Sequence, residues 1–206
     1  LAVLLVTVTL LGTSQEEDEY ADGPMICLTD SASGISELFA TTIDDMAIQT
    51  LAAKPVMLYD LAGEQMTVIV TCSYKCPCSD GYAERLAELR KKYEPLGVSF
   101  VAIHSNVDET MNGIKAYKNR NSYPLDIYRD EGAILADVLD AAVTPEAFVF
   151  SPDWKLRYHG RIDDDKGGLF VEEKTLQLAL DTLLTGKDLI VKEKLALGCA
   201  IVRNPV

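Results

Sequence analysis

Apolar residues follow two different periods along the chain, and these periods divide it into predicted strands and predicted helices. Residues 66–71 and Val98–His104 are short runs of apolar and β-branched residues, a pattern typical of buried strands. After Pro77, apolar positions instead recur every three or four residues. These positions are Tyr82, Leu86, Leu89 and Tyr93. This spacing predicts a helix, which Pro95 and Gly97 end.

The remainder of the chain continues this alternation. Asp108 and Asp130 stand where they would cap two further helices, and a last long helix is predicted over residues 172–185. Further strands are predicted at 125–128, 147–150 and 154–161. Ahead of the first strand, a helix is predicted over residues 35–53, and Pro55 would end it.

The predicted elements run βαβαβα, followed by a hairpin and a helix. Such alternation predicts the α/β class, with a central and largely parallel sheet flanked by helices on both faces. The hairpin adds antiparallel strands, which makes the sheet mixed. A chain of 206 residues and 22.6 kDa is long enough for one sizeable core.

Charge narrows the range of partners. The chain has 32 acidic against 19 basic residues, and its formal net charge at pH 7 is -13. A nucleic acid or an anionic membrane surface would repel this charge, so we expect neither as a partner.

The first residues of the chain are almost entirely apolar. The run from Leu1 to Leu11 is too short to span a membrane, which takes about 20 residues, and it resembles the hydrophobic part of a secretory signal peptide. We interpret residues 1–14 as the remnant of such a peptide; the alternative is a buried strand. The interpretation predicts an exported protein, periplasmic or extracellular, with no integral membrane span. Residues 15–54 are then an N-terminal extension.

Three cysteines lie close together where the predicted buried strand gives way to the predicted helix. They are Cys72, Cys76 and Cys78. Cys76 precedes Pro77, a residue suited to the first helical position. Unpaired N–H groups and the positive end of the helix dipole stabilise a thiolate there, and Lys75 adds a positive charge nearby. We therefore expect the pKa of Cys76 to lie below the roughly 8.5 of a free thiol, which makes it a nucleophile at neutral pH.

Several segments, taken in order, resemble a redoxin domain of the thioredoxin superfamily. They are residues 67–77, the helix through Tyr82 and Arg85, residues 100–106, residues 143–150, residues 156–164 and the Gly-Cys-x-Ile tail at 198–201. The most similar proteins are bacterial thioredoxin-family proteins grouped with the AhpC/TSA peroxiredoxins. The resemblance implies a thioredoxin-like fold for residues 55–206.

The resemblance also implies roles for individual residues. Cys76 falls at the position of the nucleophile, and Thr144 and Pro145 fall at the cis-proline that lies beside it and contacts the substrate. A thioredoxin-type resolving cysteine would stand at position 79, where this chain has Ser79. Cys72, Cys78 and Cys199 are therefore the alternative resolving thiols.

Two departures bear on peroxide chemistry. Peroxiredoxins carry Thr or Ser three residues before their reactive cysteine, and Ser73 fits that pattern. They also carry a proline where this chain has Ile69, and an arginine on the segment that here reads 142–145. We therefore expect thiol–disulfide exchange from this resemblance more firmly than peroxidase activity.

The spacing Cys72-x-x-x-Cys76-Pro77 has a second resemblance, to the Sco-type copper chaperones, which share the redoxin fold. That resemblance implies copper bound by Cys72 and Cys76, with Cys78 in place of the family's histidine, and delivery without turnover. Soft thiolates select Cu(I). His104 and His159 are expected to be structural or surface residues.

The sequence thus predicts an exported thiol–disulfide oxidoreductase or peroxiredoxin-like antioxidant protein, with copper delivery as the alternative. The substrate is a protein thiol or disulfide, or a peroxide, and an external thiol reductant returns the electrons. No cofactor is expected except copper in the alternative. Cys27 and Cys199 remain candidates for a structural disulfide, and the acidic run 163–165 is expected to be solvated.

Overall fold

The computed structural model describes residues 38–205. The strands are β1 (Ala47–Thr50), β2 (Pro55–Met57), β3 (Met66–Cys72), β4 (Val98–His104), β5 (Asp126–Arg129), β6 (Val143–Thr144), β7 (Ala147–Phe150), β8 (Leu156–Gly160), β9 (Glu193–Lys194) and β10 (Cys199–Ala200). The α-helices are α1 (Pro77–Gly81), α2 (Ala83–Tyr93), α3 (Met111–Asn121), α4 (Ile134–Val138) and α5 (Thr175–Leu184). The predicted signal peptide and Cys27 lie outside the described residues.

A mixed sheet of eight strands forms the centre of the fold, in the order β2-β1-β5-β4-β3-β7-β8-β9. β3 pairs in parallel with β4, and β4 with β5, as the alternation of strands and helices predicts. β7 runs antiparallel to both β3 and β8. The predicted thioredoxin-like α/β fold with a central mixed sheet is confirmed.

Side chains on the two faces of the sheet build two separate apolar layers. Alternate residues of β3 point to opposite faces, so Val68 and Val70 join one layer and Ile69 joins the other. The first layer includes residues of α2, α3 and α5, and the second includes Leu135 and Ala136 of α4. β3 is buried along its whole length, and it therefore holds its last residue, Cys72, rigidly within the core.

The helix predicted over residues 35–53 is wrong for residues 39–53, since among the described residues of this segment Leu38 alone is helical. Residues 47–50 form β1, which pairs with both β2 and β5, and Ile48 is buried against the sheet. Hydrogen bonding to an open sheet edge outweighs the local helical pattern here, which is how tertiary context overrides weak propensities. β1 therefore belongs to the central sheet.

Two predicted caps have different outcomes. The Asp130 carboxylate accepts hydrogen bonds from the N–H groups of Leu135 and Ala136 at 2.9 Å, so it does cap a helix start. Asp108 does not cap α3: the Thr110 hydroxyl accepts from the Gly113 N–H, and Thr110 is the N-cap.

Across residues 38–205, no helix has both the length and the apolar character that crossing a bilayer demands.

Candidate functional site

Cys76 lies at the entrance to a helix, directly after the central strand β3. A loop of residues 73–76 joins β3 to α1, with Cys76 as the N-cap and Pro77 as the first helical residue. The N–H groups of a first helical turn have no partner inside the helix and can stabilise a negative sulfur. The predicted position of Cys76, between a buried strand and a helix start, is confirmed.

Three thiols meet at this point. The sulfur atoms of Cys76, Cys78 and Cys199 lie within 4.8 Å of one another. Cys76 and Cys78 are 2% and 5% exposed, whereas Cys199 is half-buried and gives the group its contact with solvent. We call these three residues the thiol cluster.

Cys199 reaches the cluster because a short strand from late in the chain returns to the site. β10 pairs antiparallel with β6, with Cys199 opposite Thr144. The two backbones approach so closely that a Cβ atom at Gly198 would lie 2.2 Å from the Thr144 carbonyl oxygen. Only glycine fits at that distance, so Gly198 determines how near Cys199 can lie to Cys76.

Thr144 contacts the thiol cluster directly, and Pro145 follows it in the chain. The Thr144–Pro145 peptide bond is cis, as the resemblance implies. The Cys76 thiol donates a hydrogen bond to the Thr144 carbonyl oxygen, with sulfur and oxygen 3.0 Å apart. The backbone next to Pro145 therefore lies in direct contact with the reactive sulfur.

The surroundings of Cys76 favour its thiolate. Burial alone would raise the pKa of Cys76, but hydrogen bonds to the sulfur outweigh burial, and the pKa lies below its ordinary value. The donors are the side chains of Cys199 and Thr144 and the backbone N–H groups of Ser79 and Cys199. Hydrogen bonds to the charged form stabilise it, so Cys76 is the thiol of the cluster that ionises first.

The other two thiols of the cluster stay protonated. Burial, followed by the hydrogen bond to Cys76 and the negative charge on that sulfur, raises the pKa of Cys199 to about 12. Burial and the charge on Cys76 also raise the pKa of Cys78. One nucleophilic sulfur thus lies beside two thiols that can donate to it.

Cys72 lies apart from the cluster. Its side chain is fully buried in the apolar layer that faces α2 and α3, and it contacts Tyr123. Burial raises the pKa of Cys72 well above its usual value. Of the three thiols predicted as resolving partners, the structure therefore brings Cys78 and Cys199 to Cys76, and it leaves Cys72 in the core.

The positive charge of Lys75, which the sequence places next to Cys76, is paired with a carboxylate. Its ammonium group forms an exposed ion pair with Asp108, with nitrogen and oxygen 2.6 Å apart. Ser79, at the position of the absent resolving cysteine, accepts a hydrogen bond from the Ser73 N–H at 3.2 Å. The residue that departs from the thioredoxin pattern therefore closes the loop that carries Cys76.

A buried carboxylate holds the same loop from its other side. Glu109 is 4% exposed, and its Oε1 atom accepts hydrogen bonds from the Ser73 hydroxyl at 2.6 Å and the Tyr74 N–H at 2.8 Å. Its Oε2 atom lies 2.7 Å from Nδ1 of His104, which is fully buried. Glu109 thus joins the end of β4 to the loop before Cys76.

A second buried network holds the Pro145 loop. The Thr71 hydroxyl donates to the Val143 carbonyl at 2.7 Å and accepts from the Glu146 N–H at 2.9 Å. The Glu146 carboxylate lies 2.6 Å from Nε2 of His159, and both side chains are buried. Both histidines are therefore structural residues, as the sequence predicts.

Sequence reasoning missed the residues that position the site. Glu109, Thr71 and Glu146 belong to no motif, and the sequence shows Gly198 only as part of the tail pattern. The only available signal was indirect. A carboxylate a few residues beyond a strand that ends in a histidine can pair with that histidine, but many such carboxylates do not.

Peroxiredoxins place an arginine at the reactive cysteine, and three arginines of this chain have other partners. The buried Arg129 donates to the carbonyl oxygens of His104 and Asn106. Arg157 and Arg161 pair with Asp188 and Glu173. The described hydrogen bonds and ion pairs of these three arginines are therefore made with groups other than the Cys76 sulfur.

The acidic run 163–165 is structural and only partly solvated. Asp163 is 5% exposed and forms an ion pair with Arg85, whose Nη1 atom donates to both carboxylate oxygens at 2.8 and 3.0 Å. The Asp164 and Asp165 carboxylates accept hydrogen bonds from backbone N–H groups of the loop that follows. The expectation that the whole run is solvated is wrong for Asp163, because Arg85 offsets the cost of burying its charge.

Comparison with known proteins yields one family and a set of similar structures. A model of the AhpC/TSA family matches residues 40–159. The structure of an uncharacterized conserved protein from Geobacillus kaustophilus has 31% sequence identity and a TM-score of 0.73, and the alignment covers 81% of this chain and 92% of that one. A hypothetical protein from Sinorhizobium meliloti 1021 has 26% identity and a TM-score of 0.71, with 81% and 94% covered.

Peroxidoxin BcpB from Mycobacterium tuberculosis shares the fold at 15% identity and a TM-score of 0.51, and the alignment covers 70% of this chain and 92% of that one. The search of curated proteins returned no match.

Proposed function

Since the chain belongs to the AhpC/TSA family, we propose that it is an exported thiol–disulfide oxidoreductase in which Cys76 is the nucleophile and Cys199 the resolving thiol. The observation that carries this proposal is the thiol cluster: one sulfur of lowered pKa with two protonated thiols, all within 4.8 Å of one another. Disulfide exchange requires a thiolate and a second thiol close enough to attack the mixed disulfide.

The reaction has two steps. The Cys76 thiolate attacks one sulfur of a substrate disulfide; a bond forms between Cys76 and that sulfur, and the other substrate sulfur leaves as a thiolate. Cys199 then loses its proton and attacks the Cys76 sulfur, so a Cys76–Cys199 disulfide forms and the second substrate thiolate leaves. The substrate gains two electrons and the protein loses two. An external thiol reductant returns them, and no organic cofactor is required.

Cys199 is a better resolving thiol than Cys78. A Cys76–Cys78 disulfide would close a loop with a single intervening residue, and short loops of this kind store strain that favours reduction. Cys199 approaches from a separate strand and already donates a hydrogen bond to the Cys76 sulfur. Its side chain can therefore meet Cys76 without distorting α1.

Peroxide reduction has weaker support than disulfide exchange. A thiolate that attacks a peroxide must stabilise the negative oxygen that leaves, and a nearby cation does this best. Arg129, Arg157 and Arg161 are bound to carbonyl oxygens or to carboxylates. We therefore assign disulfides as the main substrate class.

Export rests on the sequence. The apolar run from Leu1 to Leu11 matches the hydrophobic part of a signal peptide, and an oxidising compartment would let both the protein and its substrates hold disulfides. The reductant that regenerates the dithiol would then be a second exported thiol protein or a small thiol.

The test is reduction of a model protein disulfide by the reduced full-length chain. Cys76→Ser should abolish the reaction, whereas Cys199→Ser should complete the first step and then accumulate the mixed disulfide with substrate. Cys72→Ala is the matched control, because Cys72 lies in the core outside the cluster, and it should retain both steps. Exchange that persists in Cys76→Ser would contradict the proposal. A mixed disulfide that accumulates in Cys78→Ser instead would make Cys78 the resolving thiol.

A further inference from the structure

We propose that the thiol cluster of Cys76, Cys78 and Cys199 binds one Cu(I) ion through its three sulfur atoms. This inference goes beyond disulfide exchange, which uses two sulfurs in each cycle and leaves the third without a role.

The geometry fits a shared ion. Sulfur atoms that bind the same metal lie about 4 Å apart, given metal–sulfur bonds of roughly 2.3 Å. The three sulfurs already lie within 4.8 Å of one another, so small side-chain rotations would bring them into position. The ligands come from two different elements, because Cys76 and Cys78 flank Pro77 at the start of α1 and Cys199 lies on β10. The backbone thus prearranges the site from two sides.

The donor set selects a soft metal. Within the part of the chain that the structure describes, this is the one group of three or more cysteine, histidine or acidic side chains arranged to hold an ion, and all its donors are sulfur. His104 and His159 are engaged with Glu109 and Glu146. Structural zinc sites almost always have four ligands, whereas soft thiolates select Cu(I). Three thiolates with no nitrogen or oxygen donor therefore favour Cu(I).

Burial allows the site to retain its ion while leaving a path for entry. Cys76 and Cys78 are almost fully buried, so water has little access to two of the ligands. Cys199 is half-buried and lies at the solvent side. A thiol-bearing carrier could transfer Cu(I) through Cys199 first. On binding, each protonated thiol releases its proton to solvent, and no electron is transferred.

The ligands differ from those that the sequence suggested. The Cys72-x-x-x-Cys76-Pro77 spacing points to Cys72 and Cys76 as the copper ligands, but Cys72 lies in the apolar core. Cys199, which lies beside Cys76 in the fold, is the ligand that replaces Cys72. This difference gives the experiment a discriminating control.

The experiment is an anaerobic titration of the fully reduced full-length chain with Cu(I), in competition with a chromophoric Cu(I) chelator. The expected result is one Cu(I) per chain, with an X-ray absorption spectrum that shows three sulfur ligands. Loss of an outer-shell partner alone typically lowers metal affinity by about 10–100-fold, so Cys76→Ser, Cys78→Ser and Cys199→Ser should each lower Cu(I) affinity by at least about tenfold. Cys72→Ala and Cys27→Ser should bind as the wild type does.

Three results would overturn the proposal: Cu(I) binding that does not exceed that of the chelator, wild-type affinity in Cys199→Ser, or a loss in Cys72→Ala as large as that in Cys76→Ser. Tighter binding of Zn(II) than of Cu(I) at the same three residues would overturn the choice of metal. The titration uses no disulfide substrate. A failure here therefore leaves the exchange activity standing, and a failure of exchange leaves the metal site standing.

Discussion

The Sγ atom of Cys76 lies 3.0 Å from the carbonyl oxygen of Thr144. This contact joins the two halves of the site, since Cys76 begins α1 on one side and Thr144 pairs with Cys199 on the other. Two groups of Thr144 therefore contact the Cys76 sulfur. The carbonyl oxygen accepts a hydrogen bond from the thiol, and the hydroxyl donates one that stabilises the thiolate and lowers the pKa of Cys76. Whatever moves the strand pair β6–β10 changes the surroundings of the nucleophile.

The first prediction concerns the pH dependence of alkylation by iodoacetamide. Because only the thiolate reacts, Cys76 should be half-maximally reactive at a pH below the roughly 8.5 of a free thiol. Cys199 should stay largely unreactive until the pH approaches its pKa of about 12. Peptide mapping by mass spectrometry after short exposures at several pH values measures both rates.

The Cys76→Ser variant makes this prediction sharper. Besides burial, the thiol of Cys199 owes its raised pKa to the hydrogen bond and the charge of Cys76, so its pKa should fall when that sulfur is removed. An unchanged Cys199 profile in Cys76→Ser would show that the two sulfurs do not interact.

The raised pKa of Cys199 also affects the stability of the fold. Between about pH 8.5 and 12 the Cys199 thiol ionises in the unfolded chain but stays protonated in the folded one, so its contribution to the free energy of unfolding should decline as the pH rises through this range.

The second prediction is that Gly198→Ala separates the cluster. An added Cβ would lie 2.2 Å from the Thr144 carbonyl oxygen, which is backbone and cannot rotate away, so β10 must shift. We expect slower formation of the Cys76–Cys199 disulfide and a loss of about 1–3 kcal/mol in the free energy of unfolding, as overpacking usually costs. Quenched-flow trapping of the disulfide and chemical denaturation measure the two effects.

Gly167→Ala is the matched control for this substitution. Gly167 is exposed, and an added Cβ there would meet only the Asp165 carboxylate at 3.4 Å or more. It should leave both the disulfide rate and the stability close to the wild-type values. Gly198→Ala with a wild-type disulfide rate would mean that the close β6–β10 contact does not position Cys199.

The third prediction is that Glu109→Gln loosens the loop before Cys76. The buried carboxylate accepts from Ser73 and Tyr74 and pairs with Nδ1 of His104. The amide of Gln could keep all three contacts only by donating to Nδ1, which would place the His104 proton on Nε2, a buried atom without a hydrogen-bond partner. Leaving a buried partner unsatisfied costs about 1–3 kcal/mol. We also expect the alkylation midpoint of Cys76 to rise, since the loop sets its place at the helix start. Asp108→Asn, which removes only the exposed partner of Lys75, should cost no more than about 1 kcal/mol and leave the midpoint unchanged.

Much of this architecture could be predicted from the sequence, because it depends on local patterns. The run 66–71 and the helical spacing from Tyr82 to Tyr93 predict β3 and α2, and Pro77 predicts a helix start directly after Cys76. The nucleophile Cys76 could be predicted for the same reason, since its position depends only on the strand and the helix on either side of it.

The rest of the site depends on contacts between residues far apart in the chain. β6 and β10 are each two residues long, and no periodicity shows in so short a segment. The pairing of these two strands brings Cys199 to Cys76. Cys72, although it is nearer to Cys76 in sequence, lies outside the thiol cluster. Similarly, Lys75 lies next to Cys76 in sequence, but its ammonium group is bound to Asp108. Proximity in sequence was therefore a poor guide to which charges and thiols act on the nucleophile.

The last prediction concerns Thr71, whose side-chain hydrogen bonds position the Pro145 loop. Its buried hydroxyl donates to the Val143 carbonyl and accepts from the Glu146 N–H, on either side of Thr144 and Pro145. Thr71→Val keeps the shape of the side chain but leaves both backbone groups without this partner. We expect a loss of about 1–3 kcal/mol in the free energy of unfolding. The alkylation midpoint of Cys76 should also rise, because the Thr144 hydroxyl would no longer be held against the sulfur.

Thr67→Val separates these two effects, because it removes an equivalent hydroxyl from the same strand. Thr67 is also buried, and its oxygen accepts from the Gly63 N–H at 3.0 Å, at the opposite end of β3 from Cys72. Its loss should lower stability by an amount within the same range and leave the Cys76 midpoint unchanged. Equal midpoints in the two variants would reduce Thr71 to a purely structural residue. A rise in Thr71→Val alone would show that the end of β3 sets the reactivity of Cys76 through the backbone of Thr144.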